Sequence, residues 1–113
     1  MGYLVYSDGK RYEFDDRVLA HVQVVVGSKL RRGECFFLNW AIDADQGTGR
    51  ASLWISPATP VQFLYRRTQL PPLNRAWLEA MATSSHGPNG LAITDEDTVG
   101  VSSTRDGEVR PAQ

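Results

Sequence analysis

The chain has 113 residues, of which 42% are hydrophobic, 22% charged and 10% aromatic, and its formal net charge is −1 at pH 7. This composition is typical of one soluble globular domain. No apolar run approaches the roughly 18–20 residues of a membrane-spanning helix, and residues 1–10 lack the basic flank and apolar centre of a secretory signal. Because Cys35 is the one cysteine and cannot form an internal disulfide, we expect a cytoplasmic protein.

Two short segments rich in strand-forming residues, 3–6 and 11–14, open the chain. Asp8 and Gly9 lie between them, and an Asp-Gly pair is typical of the type I′ turn that joins two antiparallel strands. The sequence therefore predicts an N-terminal β-hairpin.

A helix is predicted over residues 15–32. Asp15 suits the N-cap position, and Gly33 suits the position that ends the helix. Between them, apolar residues recur at spacings of three and four, as on one face of a helix: Val18, Leu19, Val22, Val25, Val26 and Leu30. Residues 22–26 are rich in β-branched side chains and would also suit a strand. The cap and the sustained period favour the helix.

Three later segments alternate as strands do, with successive side chains on opposite faces: 35–42, 51–56 and 61–66. A polar loop joins the first two segments, and a turn containing Pro57 and Pro60 joins the last two. Because the connections are short, we predict an antiparallel three-strand meander.

A second helix and a short final strand complete the predicted domain. Asn74 suits the N-cap of a helix over residues 74–85, and residues 91–93 form a short strand or an extended segment. The predicted fold is α+β in the order ββαβββα with a final β, in one domain over residues 1–95. Residues 96–113 are acidic and poor in apolar side chains, so we expect a disordered tail.

Three stretches, residues 14–21, 29–34 and 74–77, resemble a family of small single-domain actinobacterial proteins of unknown function. The resemblance covers residues 1–95. Some members of that family carry an automatic label of ATP-dependent DNA ligase, so the resemblance implies a nucleotide-processing or accessory role as one hypothesis. The family supplies no established catalytic residues for this chain.

The ligase label can be compared with the lysines of the chain. Ligases of that kind attack ATP with the lysine of a Lys-x-Asp-Gly motif. Lys10 is followed by Arg-Tyr-Glu and Lys29 by Leu-Arg-Arg, and the chain has no other lysine. The sequence therefore does not predict ligase activity.

One candidate binding surface is a basic flank of the first helix. At 3.6 residues per turn, one side of this helix carries Arg17, His21, Ser28 and Arg32, with Arg31 further round. Guanidinium groups bind phosphates through paired N–H donors, so the flank would suit an anionic partner such as nucleic acid. The alternative is a solvated helix edge whose cations stabilise the helix C-terminus.

A second candidate is the face of the predicted sheet that combines aromatic and polar side chains. This face carries Phe37, Asn39, Ser52, Trp54, Gln62, Leu64 and Arg66. Bases or sugars could stack on the aromatic rings while the amides form hydrogen bonds. The alternative is that the second helix or a second copy of the chain covers the face, because large exposed apolar patches are uncommon on monomers.

No pattern of catalytic or metal-binding residues is complete. The loop at 43–50 begins with Asp-x-Asp, but Trp54 stands where a calcium loop needs its bidentate Glu. Cys35, predicted to be a small buried side chain, has no metal-ligand spacing with His21 or His86, and no glycine-rich nucleotide loop is present. We therefore expect neither a cofactor nor a metal, and a binding protein rather than an enzyme.

Three functional hypotheses stay open. The preferred one is a non-catalytic binding or interaction module with an anionic partner such as nucleic acid. The second is a nucleotide-processing protein, as implied by the family label. The third is a structural homo-oligomer that buries its own sheet face.

Overall fold

The structure, a computed structural model, describes residues 1–42, 49–87, 89–94 and 96. The elements follow one another in the order β1 (Gly2–Val5), β2 (Arg11–Phe14), α1 (Asp16–Arg31), β3 (Phe36–Ile42), β4 (Gly49–Ile55), β5 (Gln62–Tyr65), α2 (Arg75–Ser84) and β6 (Leu91–Ala92). The α+β class and the predicted order of elements are confirmed. Within the described ranges, neither helix has the length and apolar character needed to cross a membrane.

The strands of the described residues form two three-stranded sheets. β1 lies between β2 and β5 in an antiparallel sheet, and β3 lies between β4 and β6 in a mixed one. The predicted meander is wrong in its last pairing, because β5 pairs with β1 and not with β4. Alternating side chains identify a strand but not its neighbour, and the connection over residues 56–61 leads the chain from one sheet to the other.

The N-terminal hairpin is confirmed, but its turn differs from the predicted two-residue type. The Tyr6 N–H donates to the Lys10 carbonyl oxygen at 2.9 Å, and the Gly9 N–H donates to the Tyr6 carbonyl oxygen at 2.8 Å. Gly9 has a φ of +86°, a conformation that glycine adopts without steric cost. The hairpin therefore closes through a three-residue loop, with the left-handed residue at its end.

Helix α1 forms as predicted, including its β-branched segment. The Asp15 side chain forms no capping hydrogen bond, although its carbonyl oxygen accepts from the Leu19 N–H at 2.9 Å. At the other end, the Gly33 N–H donates to Leu30 and the Glu34 N–H donates to Lys29, which satisfies two of the last carbonyl groups. Gly33 thus follows the helix end, as the sequence predicted.

One hydrophobic core connects both sheets with both helices. Its buried residues come from both sheets and both helices: Leu4, Phe14, Leu19, Val22, Val25, Val26, Phe36, Leu38, Leu53, Ile55, Trp77, Met81 and Leu91. The Trp40 ring meets Tyr12 and Phe14 edge-on, with ring centroids 5.4 and 5.2 Å apart. Trp40 therefore joins the inner faces of the two sheets.

The domain includes one residue that the sequence placed in the tail. Glu96 contacts Arg17 of α1 and Asn74 at the start of α2, so the contacts of the domain extend beyond residue 95. Residues 97–113 and 43–48 lie outside the described residues. The expected disorder of the tail, and the reading of the Asp-containing loop, stay predictions.

Candidate functional site

The basic flank of α1 begins with an arginine that is already bound within the domain. Arg17 Nε donates to Glu96 Oε1 at 2.7 Å, and Arg17 Nη2 donates to Glu96 Oε2 at 2.6 Å. Its third nitrogen, Nη1, donates to the carbonyl oxygen of Pro72. The Arg17 guanidinium, followed by the Asn74 amide, holds the pKa of Glu96 at about 2. Arg17 therefore stabilises the fold. Because its N–H donors bind Glu96 and Pro72, they do not indicate a phosphate-binding site.

His21 is fully buried, so the expectation that it lies on an accessible flank is wrong. Its Nδ1 lies 2.7 Å from the Arg17 carbonyl oxygen, and its Nε2 accepts from the Asn74 N–H at 2.7 Å. The ring also packs against Trp77, with centroids 4.3 Å apart. The helical period placed His21 beside the apolar face correctly, but it could not indicate that the start of α2 covers this position.

The C-terminal end of α1 carries a small charged cluster around Glu34. Lys29 Nζ donates to Glu34 Oε1 at 2.8 Å, and Arg32 Nε donates to Glu34 Oε2 at 2.7 Å. Hydrogen bonds from Arg32 and then Lys29 lower the pKa of Glu34 to about 2. Arg32 Nη1 also donates to Ser28 Oγ at 3.0 Å, whereas Arg31 is exposed on another side of the helix. The cluster therefore consists mainly of internal ion pairs.

Asn39 is also buried, which corrects its predicted place on an open face. Its Nδ2 donates to the carbonyl oxygens of Asn89 and Leu91, at 2.6 and 3.3 Å. Its Oδ1 accepts from the hydroxyl of Ser52 at 2.5 Å. The amide thus attaches the start of β6 to the sheet, and its hydrogen-bonding groups are used within the fold.

The side chains of Phe37 and Trp54 are exposed to solvent, as the prediction of a binding surface on this sheet face requires. They lie opposite each other on β3 and β4, and their rings meet edge-on with centroids 5.2 Å apart. Their exposed fractions are 48% and 46%. Arg50 and Ser52 share the same face of β4, because alternate residues of a strand point to one side, and both are exposed. We call Phe37, Arg50, Ser52 and Trp54 the aromatic face.

The remaining candidates do not belong to this face. Gln62 lies on β5, where it pairs with Val5 in the other sheet. Arg66 follows β5 and lines a cleft of about 590 Å³ together with Arg67 and Asp16. The prediction that one sheet face carries both Trp54 and Gln62 is therefore wrong, since it rested on the pairing of β5 with β4.

A groove of about 470 Å³ adjoins the aromatic pair. It is lined by Lys29, Glu34, Cys35, Phe36, Phe37, Trp54, Ser85, Gly87 and Gly90. Cys35 is exposed, contrary to its predicted burial, and it lies one residue before β3 begins. Among the described residues, no group of three or more His, Cys, Asp or Glu side chains is placed to hold a metal ion.

These features define a small α+β domain with an open aromatic pair on one sheet. The chain belongs to the family DUF7882, a domain of unknown function, whose family model matches residues 1–96. No curated protein and no solved structure matches the chain. The expectation that the chain belongs to a family of unknown function is thus confirmed, whereas the match carries no DNA ligase label.

Proposed function

We propose that the protein is a non-catalytic binding module that takes a single-stranded nucleic acid on its aromatic face. The observation that carries the proposal is the pair of half-exposed rings, Phe37 and Trp54, in mutual contact. Burial of apolar surface stabilises a protein or a complex by roughly 25 cal/mol for each Å² removed from water. Exposed rings do not contribute this free energy until a partner covers them. Adjacent exposed aromatic rings are therefore typical of a surface that contacts a partner.

The chemistry of the face favours a partner that combines flat rings with anionic groups. Every base has a face that stacks on an aromatic side chain, and each such contact contributes about 1–3 kcal/mol. Arg50 lies on the same side of β4 as Trp54, about 13 Å along the strand at its usual rise per residue. A guanidinium at that distance can bind a backbone phosphate while the bases stack on the rings.

Lys29 argues against the nucleotide-processing alternative. Its ammonium group donates to Glu34 at 2.8 Å and lies 5.0 Å from the centre of the Phe36 ring. A lysine that attacks ATP must present an uncharged amine to the phosphate. An ammonium group held by a carboxylate and a ring is poorly placed for this reaction.

The proposal is tested by fluorescence anisotropy with a labelled deoxythymidine oligonucleotide at low and high salt. We expect Trp54→Ala and Phe37→Ala each to weaken binding about tenfold, as loss of one stacked base would. Trp54→Phe, which keeps a ring, retains most of the affinity. Leu73→Ala is the matched control, because Leu73 is exposed to a similar extent, at 51%, but lies outside the aromatic face.

A second variant tests whether the positive charge of Arg50 contributes to binding. Arg50→Gln is expected to weaken binding and to reduce the dependence of affinity on salt concentration by about one counterion. Equal effects of Leu73→Ala and Trp54→Ala, or no binding of the wild type at low salt, contradict the proposal.

The homo-oligomer alternative is examined with the same variants. Light scattering across protein concentrations measures the mass of the wild type and of Trp54→Ala. A monomer in both cases is expected. A wild-type dimer that Trp54→Ala dissociates would assign the face to a second copy of the chain and would overturn the nucleic-acid proposal.

A further inference from the structure

The groove beside the aromatic face contains a carboxylate that the stacking proposal does not use. Its volume is about 470 Å³, and Glu34 lines it together with Phe37 and Trp54. The Glu34 side chain is 39% exposed, whereas Lys29, which pairs with it, is buried. A base that contacts the two exposed rings therefore lies beside an accessible carboxylate.

Two cations hold the Glu34 carboxylate in a fixed orientation. Its Oε1 accepts from Lys29 Nζ at 2.8 Å, and its Oε2 accepts from Arg32 Nε at 2.7 Å. A carboxylate has about four lone-pair sites, so these bonds from the described residues leave about one site on each oxygen for a further donor. The two cations also offset the charge of Glu34, which would otherwise repel the phosphates of a bound strand.

An ionised carboxylate accepts hydrogen bonds and donates none, so it distinguishes bases by their N–H groups. Guanine presents two neighbouring donors, N1–H and the N2 amino group, on its Watson–Crick edge, and these match the two oxygens of one carboxylate. Adenine and cytosine place a ring-nitrogen acceptor beside their amino group, and thymine places a carbonyl oxygen on each side of its N–H. Each of these acceptors would turn a lone pair toward the carboxylate. The groove therefore favours guanine.

We infer that Glu34 is a specificity-determining residue that binds the Watson–Crick edge of a guanine whose ring contacts Phe37 and Trp54. The inference rests on the proposed function, since it names the base that a bound single strand places in the groove. Stacking alone tolerates any sequence, because every base has a flat face. A fixed acceptor beside the rings adds a preference among the bases. Gly87 and Gly90 also line the groove and have no side chain to fill it.

Fluorescence anisotropy with three labelled oligonucleotides tests the inference on the full chain. One oligonucleotide contains deoxythymidine only, and the other two carry a single central guanine or a single central hypoxanthine, which lacks the N2 amino group of guanine. We expect guanine to raise the affinity at least about tenfold over thymine, as a hydrogen bond to a charged group would. Hypoxanthine keeps one of the two donors and should bind at least about threefold more weakly than guanine.

Two variants separate base recognition from a general effect of charge. Glu34→Gln should abolish the preference for guanine over thymine, because an amide replaces one of the two acceptors with a donor. The measured quantity is the ratio of the two affinities, since loss of a negative charge strengthens the binding of every strand. Glu79→Gln is the matched control and should keep the ratio, because Glu79 is an exposed carboxylate on α2 outside the groove. A ratio that is unchanged in Glu34→Gln overturns the inference.

The wild type alone decides the matter if Glu34→Gln does not fold, because equal affinities for the guanine and hypoxanthine oligonucleotides would refute the role of the N2 amino group. Equal affinities for the guanine and thymine oligonucleotides refute the inference and leave the proposed function standing, whereas failure of both to bind refutes the two together. Free guanosine monophosphate is expected to bind much more weakly than the guanine oligonucleotide. Equally tight binding would assign the groove to a free nucleotide and would overturn the inference.

Discussion

The hydroxyl of Tyr6 donates a hydrogen bond to the carbonyl oxygen of Trp54 at 2.6 Å. Tyr6 directly follows β1, and Trp54 lies on β4 in the other sheet. The bond therefore connects the N-terminal hairpin to the strand that presents the aromatic face. It also fixes the backbone of Trp54 without using its ring.

Tyr6→Phe removes this connection and keeps the ring. We expect the free energy of unfolding to fall by about 0.5–1.5 kcal/mol, the usual net contribution of one hydrogen bond. Urea denaturation measures the change. Tyr12→Phe serves as the control, since the described part of the chain offers its hydroxyl no hydrogen-bond partner, and an equal loss in the two variants would contradict the role of the bond.

Acid is expected to destabilise the protein through two carboxylates. The pKa of Glu34 and that of Glu96 are both lowered from 4.5 to about 2 in the folded protein by hydrogen-bonded cations. Their stabilising effect is therefore present above pH 4.5 and is lost as the pH falls toward 2. Glu96→Gln should flatten this part of the pH dependence, measured by urea midpoints.

Glu79→Gln is the control for the acid experiment. Glu79 is an exposed carboxylate on α2. This variant should reproduce the wild-type loss of stability. A wild type whose urea midpoint does not change between roughly pH 5 and pH 2 would disagree with the low pKa of Glu96.

Alkali should act through Tyr65. Burial, and to a smaller extent the nearby Asp16 carboxylate, raises the pKa of this phenol from 10.0 to about 12. The stability associated with the neutral phenol is complete below pH 10.0 and is lost as the pH rises through 12. Tyr65→Phe should remove the tyrosine ionisation near pH 12 from an ultraviolet titration. An ionisation near pH 12 that persists in this variant would contradict the assignment to Tyr65.

Two glycines should respond to alanine in opposite directions. Gly90 has a φ of +89°, and an added Cβ would lie 2.5 Å from the Phe37 carbonyl oxygen, so Gly90→Ala should cost about 1–3 kcal/mol of stability. Gly27 lies inside α1, where an added Cβ would approach no atom closer than Arg31 Nη1 at 4.0 Å. Gly27→Ala should therefore stabilise by about 0.5–1 kcal/mol. Thermal unfolding of both variants measures whether the stability falls in Gly90→Ala and rises in Gly27→Ala.

Local chemistry made much of the fold predictable. The Trp77 N–H donates to Asn74 Oδ1 at 3.3 Å, so the predicted N-cap of α2 is confirmed at the atomic level. Likewise, the spacing of apolar residues outweighed the strand preference of Val22–Val26, because one continuous face of α1 is buried in the core. Alternation along β3 and β4 was also sufficient to place Phe37 and Trp54 together.

Contacts between distant parts of the chain could not be predicted in this way. Arg17 was assigned to a binding flank because its partner, Glu96, lies far away in the sequence. Asn39 was assigned to an open face because nothing local indicates that Asn89 and Leu91 accept its donors. Both errors share one cause: periodicity gives the direction of a side chain, whereas its burial depends on which distant segment covers it.

The central place of β1 in its sheet has a consequence for synthesis of the chain. β2 follows β1 immediately, but β5 is translated only after β3 and β4, two of the three strands of the other sheet. A two-stranded hairpin alone is marginally stable in water, so the nascent N-terminal half cannot retain its native form unaided. A chain that stops before Gln62 would leave one side of β1 as a bare hydrogen-bonding edge, which recruits other chains into aggregates.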